Sequence, residues 1–234
     1  MQSIITAFDN AMESLKMVFA AFIRPMTVFF DVFSDYWLGM ALVAVIFMVL
    51  LVLSVFRDGS NFPRVIRKPK TLAICAMIIA LNAVLGFYTP VLSSYLKIEF
   101  GFVTLPIISM LFGPVTGCIM GMVQDIVCLI VKPTGGLLIA LTLTDGITGI
   151  IYAWAFYKKK VTFVRILITQ LIVIVAVNIT LNSIALAPLA AGGLVAILPS
   201  RVIKNFIMLP FQVVIMYAVL KITQKRVKGA SVSK

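Results

Sequence analysis

The sequence predicts an all-α membrane protein: a bundle of six transmembrane helices, preceded by one additional transmembrane helix and an interfacial helix. Three observations predict it. The 234 residues are 62% hydrophobic and only 12% charged, with a mean hydropathy of +1.14. Soluble domains average about half apolar and a quarter charged, so this chain lacks the polar surface to cover a water-exposed core, and bilayer becomes its solvent. The apolar residues also fall into runs close to the roughly 20 residues that a spanning helix needs, and the cations gather at the ends of those runs.

Taken in order, residues 1–36 form an interfacial amphipathic segment. Ser3 to Phe33 is apolar at helical spacing but interrupted by Asp9, Glu13, Lys16, Arg24-Pro25 and Asp31, which suits a helix lying on the membrane rather than crossing it. Its start lacks the basic opening and immediate apolar block of a signal peptide. Residues 37–57 are the additional span, uninterrupted from Leu38 to Phe56. Residues 58–70 are a basic cytoplasmic linker carrying Arg64, Arg67, Lys68 and Lys70. Positively charged loops stay inside, so the front segment is predicted outside.

Residues 71–222 are the six-helix domain, and alternation tests the orientation. Thr71 to Phe87 runs outward, and the loop Tyr88 to Glu99 is external. A short helix, Phe100 to Phe112, returns to Gly113-Pro114. Val115 to Val131 runs out to the turn Lys132-Pro133-Thr134-Gly135-Gly136. Leu137 to Tyr157 comes in to Lys158-Lys159-Lys160, Phe163 to Ile184 goes out, and Leu186 to Leu198 is an external loop. Ser200 to Ile222 returns to the basic tail 223–234. Every dense cationic cluster lands on one side, with both termini of the six-helix domain cytoplasmic. The net charge of +12 therefore reads as topology signals and lipid headgroup contacts, and no nucleic acid is expected as a partner.

The polar residues inside the spans carry the functional information. At about 1.5 Å rise per residue, Asp125 lies about 18 Å from the Gly113 end of its helix, in the outer half. Gln124 precedes it. Thr142, Thr144 and Asp145 occupy the next span, Asn178 and Asn182 the outer end of the one after. Arg201, Lys204, Asn205, Met208 and Gln212 share a face of the last. Ionisable groups within membrane segments are costly and face a cavity or a partner. A hollow opening outward satisfies them together. Gly113, Gly117 and Gly121 recur every fourth residue as a close-packing face, and Ala73, Ala76, Ala80 and Ala83 form a smooth stripe fit for another helix.

Chemistry of other kinds is thin. Histidine is absent, the three cysteines Cys75, Cys118 and Cys128 lack metal-ligand spacing, and no Walker-type loop occurs. No metal, cofactor or catalytic residue is expected, and an ATPase, if used, belongs to another chain. Two rivals stay open on residues alone: an intramembrane enzyme using Asp125 and Asp145 as a dyad, and an assembly or scaffold protein whose polar groups only lock helices. A secondary transporter would show inverted repeats, and none is visible.

Several motifs carry a resemblance. Leu96-Lys97-Ile98-Glu99-Phe100-Gly101-Phe102, Met110-Leu111-Phe112-Gly113-Pro114, Pro133-Thr134-Gly135-Gly136, Leu141-Thr142-Leu143-Thr144, Leu198-Pro199-Ser200-Arg201-Val202-Ile203-Lys204-Asn205 and Met208-Leu209-Pro210-Phe211-Gln212 appear in order over about Leu72 to Lys221. Together they resemble the folate-type substrate-binding (S) components of energy-coupling factor transporters. The resemblance implies capture of a vitamin-like small molecule, folate or a relative, from outside. It also implies docking, through the alanine stripe, on a module of one transmembrane coupling subunit and two ATPases. The substrate-binding residues expected are Lys97, Gln124, Asp125, Thr142, Asp145, Asn182, Arg201, Lys204 and Asn205. Lys97-Ile98-Glu99 stands where the family typically has Arg-Ile-Gly, and Asp145 where it has a small residue. Both changes make the site less welcoming to an anion.

Overall fold

The computed structural model describes residues 36–58, 69–87, 91–93, 96–97, 101–131, 139–186 and 193–232. The interfacial segment 1–35, most of the basic linker and the turn 132–138 lie outside the described residues. The elements are α1 (Tyr36–Asp58), α2 (Pro69–Phe87), β1 (Val91–Ser93), β2 (Leu96–Lys97), α3 (Gly101–Phe112), α4 (Pro114–Val131), α5 (Ile139–Phe156), α6 (Phe163–Ile172), a π-helical segment (Val173–Leu181), α7 (Asn182–Leu186) and α8 (Gly193–Val232). Stretches within α2, α4, α5, α6 through α7, and α8 are long and apolar enough to cross a bilayer, while Ala41–Phe56 and α3 are shorter apolar helices. Helices stand at the places expected for the additional first helix and for the six of the bundle.

Three features differ from the sequence expectation. The external loop holds a two-stranded antiparallel ribbon, Val91 opposite Lys97 and Ser93 opposite Leu96, with a bulge between the pairs. The last helix begins at Gly193 rather than Ser200 and runs to Val232, passing through Pro199 and Pro210 and absorbing most of the expected tail. Neighbouring helices and polar side chains re-satisfy backbone groups freed by proline within membranes. The fifth span of the bundle is not a plain α-helix: it opens into nine residues of π-helix. The Thr180 hydroxyl donates to Val175 O, five residues back, at 2.8 Å, and the Asn182 amide reaches Val177 O.

Lipid is as apolar as leucine, so packing rather than hydrophobicity holds such helices together. The tightest seam is α4 against α5. A Cβ on Gly121 would lie 2.6 Å from Asp145 O, and one on Gly117 would lie 3.0 Å from Gly149 O. Gly149 in turn faces the Gly117 backbone, and Ser109 of α3 donates to Gly149 O at 3.0 Å. The glycine ladder is thus a close-packing face, as its spacing suggests. The added helix α1 docks mainly on α5 and α4. Its Phe47 ring stands 3.0 Å from where a Cβ on Gly146 would sit, so the missing side chain opens a notch for the ring. One core cluster gathers Leu105, Met110, Tyr152, Phe156, Ile166, Val173, Val213, Met216 and Leu220 from α3, α5, α6, the π segment and α8. The outward faces are strongly apolar, with Phe56, Ile130 and Met77 among the most exposed side chains, as lipid-facing surface should be.

Candidate functional site

The α4–α5 seam fixes the first half of the site. Residues 121 and 145 are abutted across it, as are 117 and 149, so the antiparallel register brings 125 and 142 together one turn further out. Thr142 donates its hydroxyl proton to Asp125 Oδ2 at 2.7 Å. Beside them Gln124, buried on α4, accepts from Thr104 of α3 at 3.0 Å. Its amide nitrogen lies close to Gly101, where an added Cβ would come within 3.1 Å. Gly101 therefore lets the α3 start approach this amide.

The second half lies on the other flank of α5. Thr144 is two residues from Thr142, about 200° around the helix. Its hydroxyl sits against both Leu141 O and Asn182 Oδ1. Asn182 Nδ2 faces Asn178 Oδ1 at 3.4 Å. Arg201 of α8 donates through Nη1 to Asn178 O at 3.1 Å. A chain of polar groups thus runs from α5 through the π segment and α7 to α8. The π register is part of this arrangement, because widening the helix turn changes which carbonyls and side chains face inward, and such distortions are frequent at functional sites.

The expected residues fall into two sets. Asp125 and Thr142 are joined across the α4–α5 seam, Gln124 beside them is bonded to α3, and Asn182 and Arg201 belong to the chain that starts at Thr144. Asp145 is half-buried, with its own carbonyl against Gly121, about one turn deeper than Asp125. That register sets the two acids at different levels, with the Asp125 carboxylate engaged by Thr142. Asn205 is buried and Lys204 half-buried on α8. Lys97 sits in β2, its side chain outside the described residues. Gln212 is not at this level: it accepts from Gln170 at 2.7 Å, and Gln170 accepts from the buried Tyr152 hydroxyl at 3.0 Å, an interhelical lock among α5, α6 and α8.

Two contributors escape sequence reading. Thr104 gives no signal in an apolar helix. Asn82, the lone amide of α2, gives one: it is buried, donates to Cys128 Sγ at 3.2 Å, and has no hydrogen-bond partner for its Oδ1 among the described residues. Buried polar groups are ordinarily satisfied. On the alanine stripe, Ala73, Ala76 and Ala80 are exposed, whereas Ala83 is buried. Counting 100° per residue, Ala83 stands at the stripe's edge, nearest the inward face made by Cys75, Ile79 and Asn82.

Comparison with known proteins gives a consistent result. The family model described as "ECF transporter, substrate-specific component" matches residues 70–220. A protein of Clostridium novyi (strain NT) named Folate transporter FolT is 28% identical over 159 residues, covering 68% of this chain and 92% of its own length. One of the same name from Leuconostoc mesenteroides subsp. mesenteroides is 32% identical over 153 residues, covering 63% of this chain and 82% of its own. A solved structure, "Crystal structure of FolT bound with folic acid", superposes with a TM-score of 0.60 at 32% identity, over 64% of this chain and 92% of that one.

Proposed function

This chain belongs to the substrate-specific component family of ECF transporters, and from that premise we propose that it captures folate, or a close chemical relative, at the outer half of the bundle. The observation that carries the reading is the match over 92% of a folic-acid-bound relative at 32% identity. Small-ligand sites combine apolar walls with a few placed polar groups, and the outer ends of α4, α5, α7 and α8 supply that combination. Arg201, Lys204 and Lys97 are assigned to the ligand's carboxylates. Gln124, Asp125, Asn182 and Asn205 are assigned to its heterocycle, with Thr142 and Asp145 as the floor. The pterin ring of folate has donors and acceptors on one edge, which suits an amide beside a carboxylate.

The chain is a multi-pass membrane protein. Its loops Lys158–Lys160 and the basic end of α8 face the cytoplasm in this reading, by the positive-inside rule. Delivery uses a separate module of one transmembrane coupling subunit and two ATPases, docked on the exposed Ala73, Ala76 and Ala80 of α2. Reconstitution in proteoliposomes tests it. Folate accumulation that needs ATP and the coupling module supports the reading; accumulation without them, or none with them, contradicts it.

A further inference from the structure

A second binding place lies at the opposite end of the bundle from the polar sets, where α5 turns into α6. The connection is hydrogen-bonded to α8. Lys158 takes a left-handed backbone conformation, with φ of 55°. Gln224 of α8 accepts from the Val161 amide at 3.3 Å and donates to Lys159 O at 2.8 Å. Against this corner is a groove of about 460 Å³. Ala155, Val164 and Ile168 make its apolar part, and Lys159, Arg165 and Thr162 its polar part.

The two cations are solvent-exposed, and each is hydrogen-bonded to a nearby backbone carbonyl. Lys159 Nζ donates to Trp154 O at 2.6 Å and Arg165 Nη1 to Lys160 O at 2.8 Å, which leaves further donors on both. Thr162 occupies the N-cap position of α6 without a side-chain cap bond. The positive end of that helix dipole therefore adds to the field in the groove. Val164 and Ile168 are exposed on the lipid-facing side of α6. A groove with two exposed cations at one end and an aliphatic wall beside them has the chemistry of an anionic phospholipid site. We infer that this corner binds one anionic glycerophospholipid, its phosphate between Lys159 and Arg165 and an acyl chain along Val164 and Ile168. Lys159 thereby serves lipid binding in addition to its part in a topology signal.

Native mass spectrometry of the full chain, released from nanodiscs of phosphatidylcholine containing a minority of phosphatidylglycerol, tests this. The expected result is retention of a single phosphatidylglycerol in preference to phosphatidylcholine. The K159A/R165A variant should lose that adduct by about fivefold or more, with K158A/K160A much less affected. Ile168→Trp, which fills the aliphatic wall and leaves both cations, should also lose it. Thermal unfolding in detergent checks that each variant is folded, independently of folate binding. Equal retention of the two lipids, an adduct unchanged in both K159A/R165A and I168W, or inorganic phosphate retained as well as the lipid would each overturn the assignment.

Discussion

Thr142 on α5 donates to Asp125 on α4 across 2.7 Å, at the outer end of the seam that Gly117, Gly121 and Gly149 draw tight. The glycines set how closely the two helices run, and closeness lets a hydroxyl as short as threonine's reach the carboxylate. Thr142→Val keeps the side-chain shape and removes the donor. A hydrogen bond to a charged acceptor is worth about 1.5–3 kcal/mol at most and Asp125 is half-buried, so the variant should unfold at lower temperature and bind folate about tenfold more weakly. Thr142→Ser should retain most of both. Calorimetric titration beside a thermal melt reads the two effects, and a valine variant indistinguishable from wild type would remove this bond from the site.

The seam itself gives a sharper contrast. Gly121→Ala places a carbon 2.6 Å from Asp145 O, and Gly149→Ala drives one into the Gly117 backbone. Backbone cannot yield as a flexible side chain does, so overpacking here should cost about 3 kcal/mol or more. Gly86→Ala meets nothing within 4 Å and replaces the poorest non-proline helix former, so its stability should hold or rise by up to about 1 kcal/mol. Fluorescence-detected size exclusion after graded heating separates these cases.

Tyr152, Gln170 and Gln212 lock α5, α6 and α8 away from the proposed ligand. Tyr152→Phe removes a buried hydroxyl and leaves Gln170 Oε1 without its donor, at a cost of about 1–2 kcal/mol. Folate affinity should stay within about twofold of wild type, because the substitution acts on the folded state as a whole rather than on the ligand. A variant that binds folate tenfold less tightly at unchanged stability would move this network into the binding site.

Ala76→Trp or Ala80→Trp puts a large ring on the exposed stripe of α2. Folate binding by the isolated protein should be unaffected, while co-purification with the coupling module falls about tenfold or more, since close helix approach needs small residues. Undiminished co-purification would place docking elsewhere. Ala83→Trp should instead destabilise the isolated protein, because Ala83 is buried against its own bundle.

Much of this architecture was legible in sequence because bilayer physics writes in large letters. Span-length apolar runs closed by Arg57, Lys158-Lys159-Lys160 and Lys221 marked the order of the helices, and the four-residue glycine spacing marked a close-packing face, without saying which helix packs on it. Asp125, Thr142 and Asn182 stood out because polar atoms in a membrane need partners. What stayed hidden depends on contacts rather than composition. Val173 to Leu181 is mostly β-branched and, apart from Asn178 and Thr180, apolar, so no periodicity marks its π register; it shows in contacts five residues back, from the Thr180 hydroxyl and the Asn182 backbone amide. Thr144 facing Asn182 while Thr142 faces Asp125 follows from the rotation of α5, which a linear reading does not fix. Pro199 falls between the expected external loop and the expected last span, yet it is carried inside the helix, as a proline in lipid can be. The seat of Phe47 at Gly146 is likewise a matter of shape.

Equilibrium binding of folic acid to the purified full-length protein tests the central claim most directly. The account predicts saturable one-to-one binding with a Kd of about 1 μM or tighter, equivalent to about −8 kcal/mol, weakened by Arg201→Ala and by Asp125→Ala. Binding of folic acid no tighter than about 1 mM, or affinity indifferent to both substitutions, would contradict it.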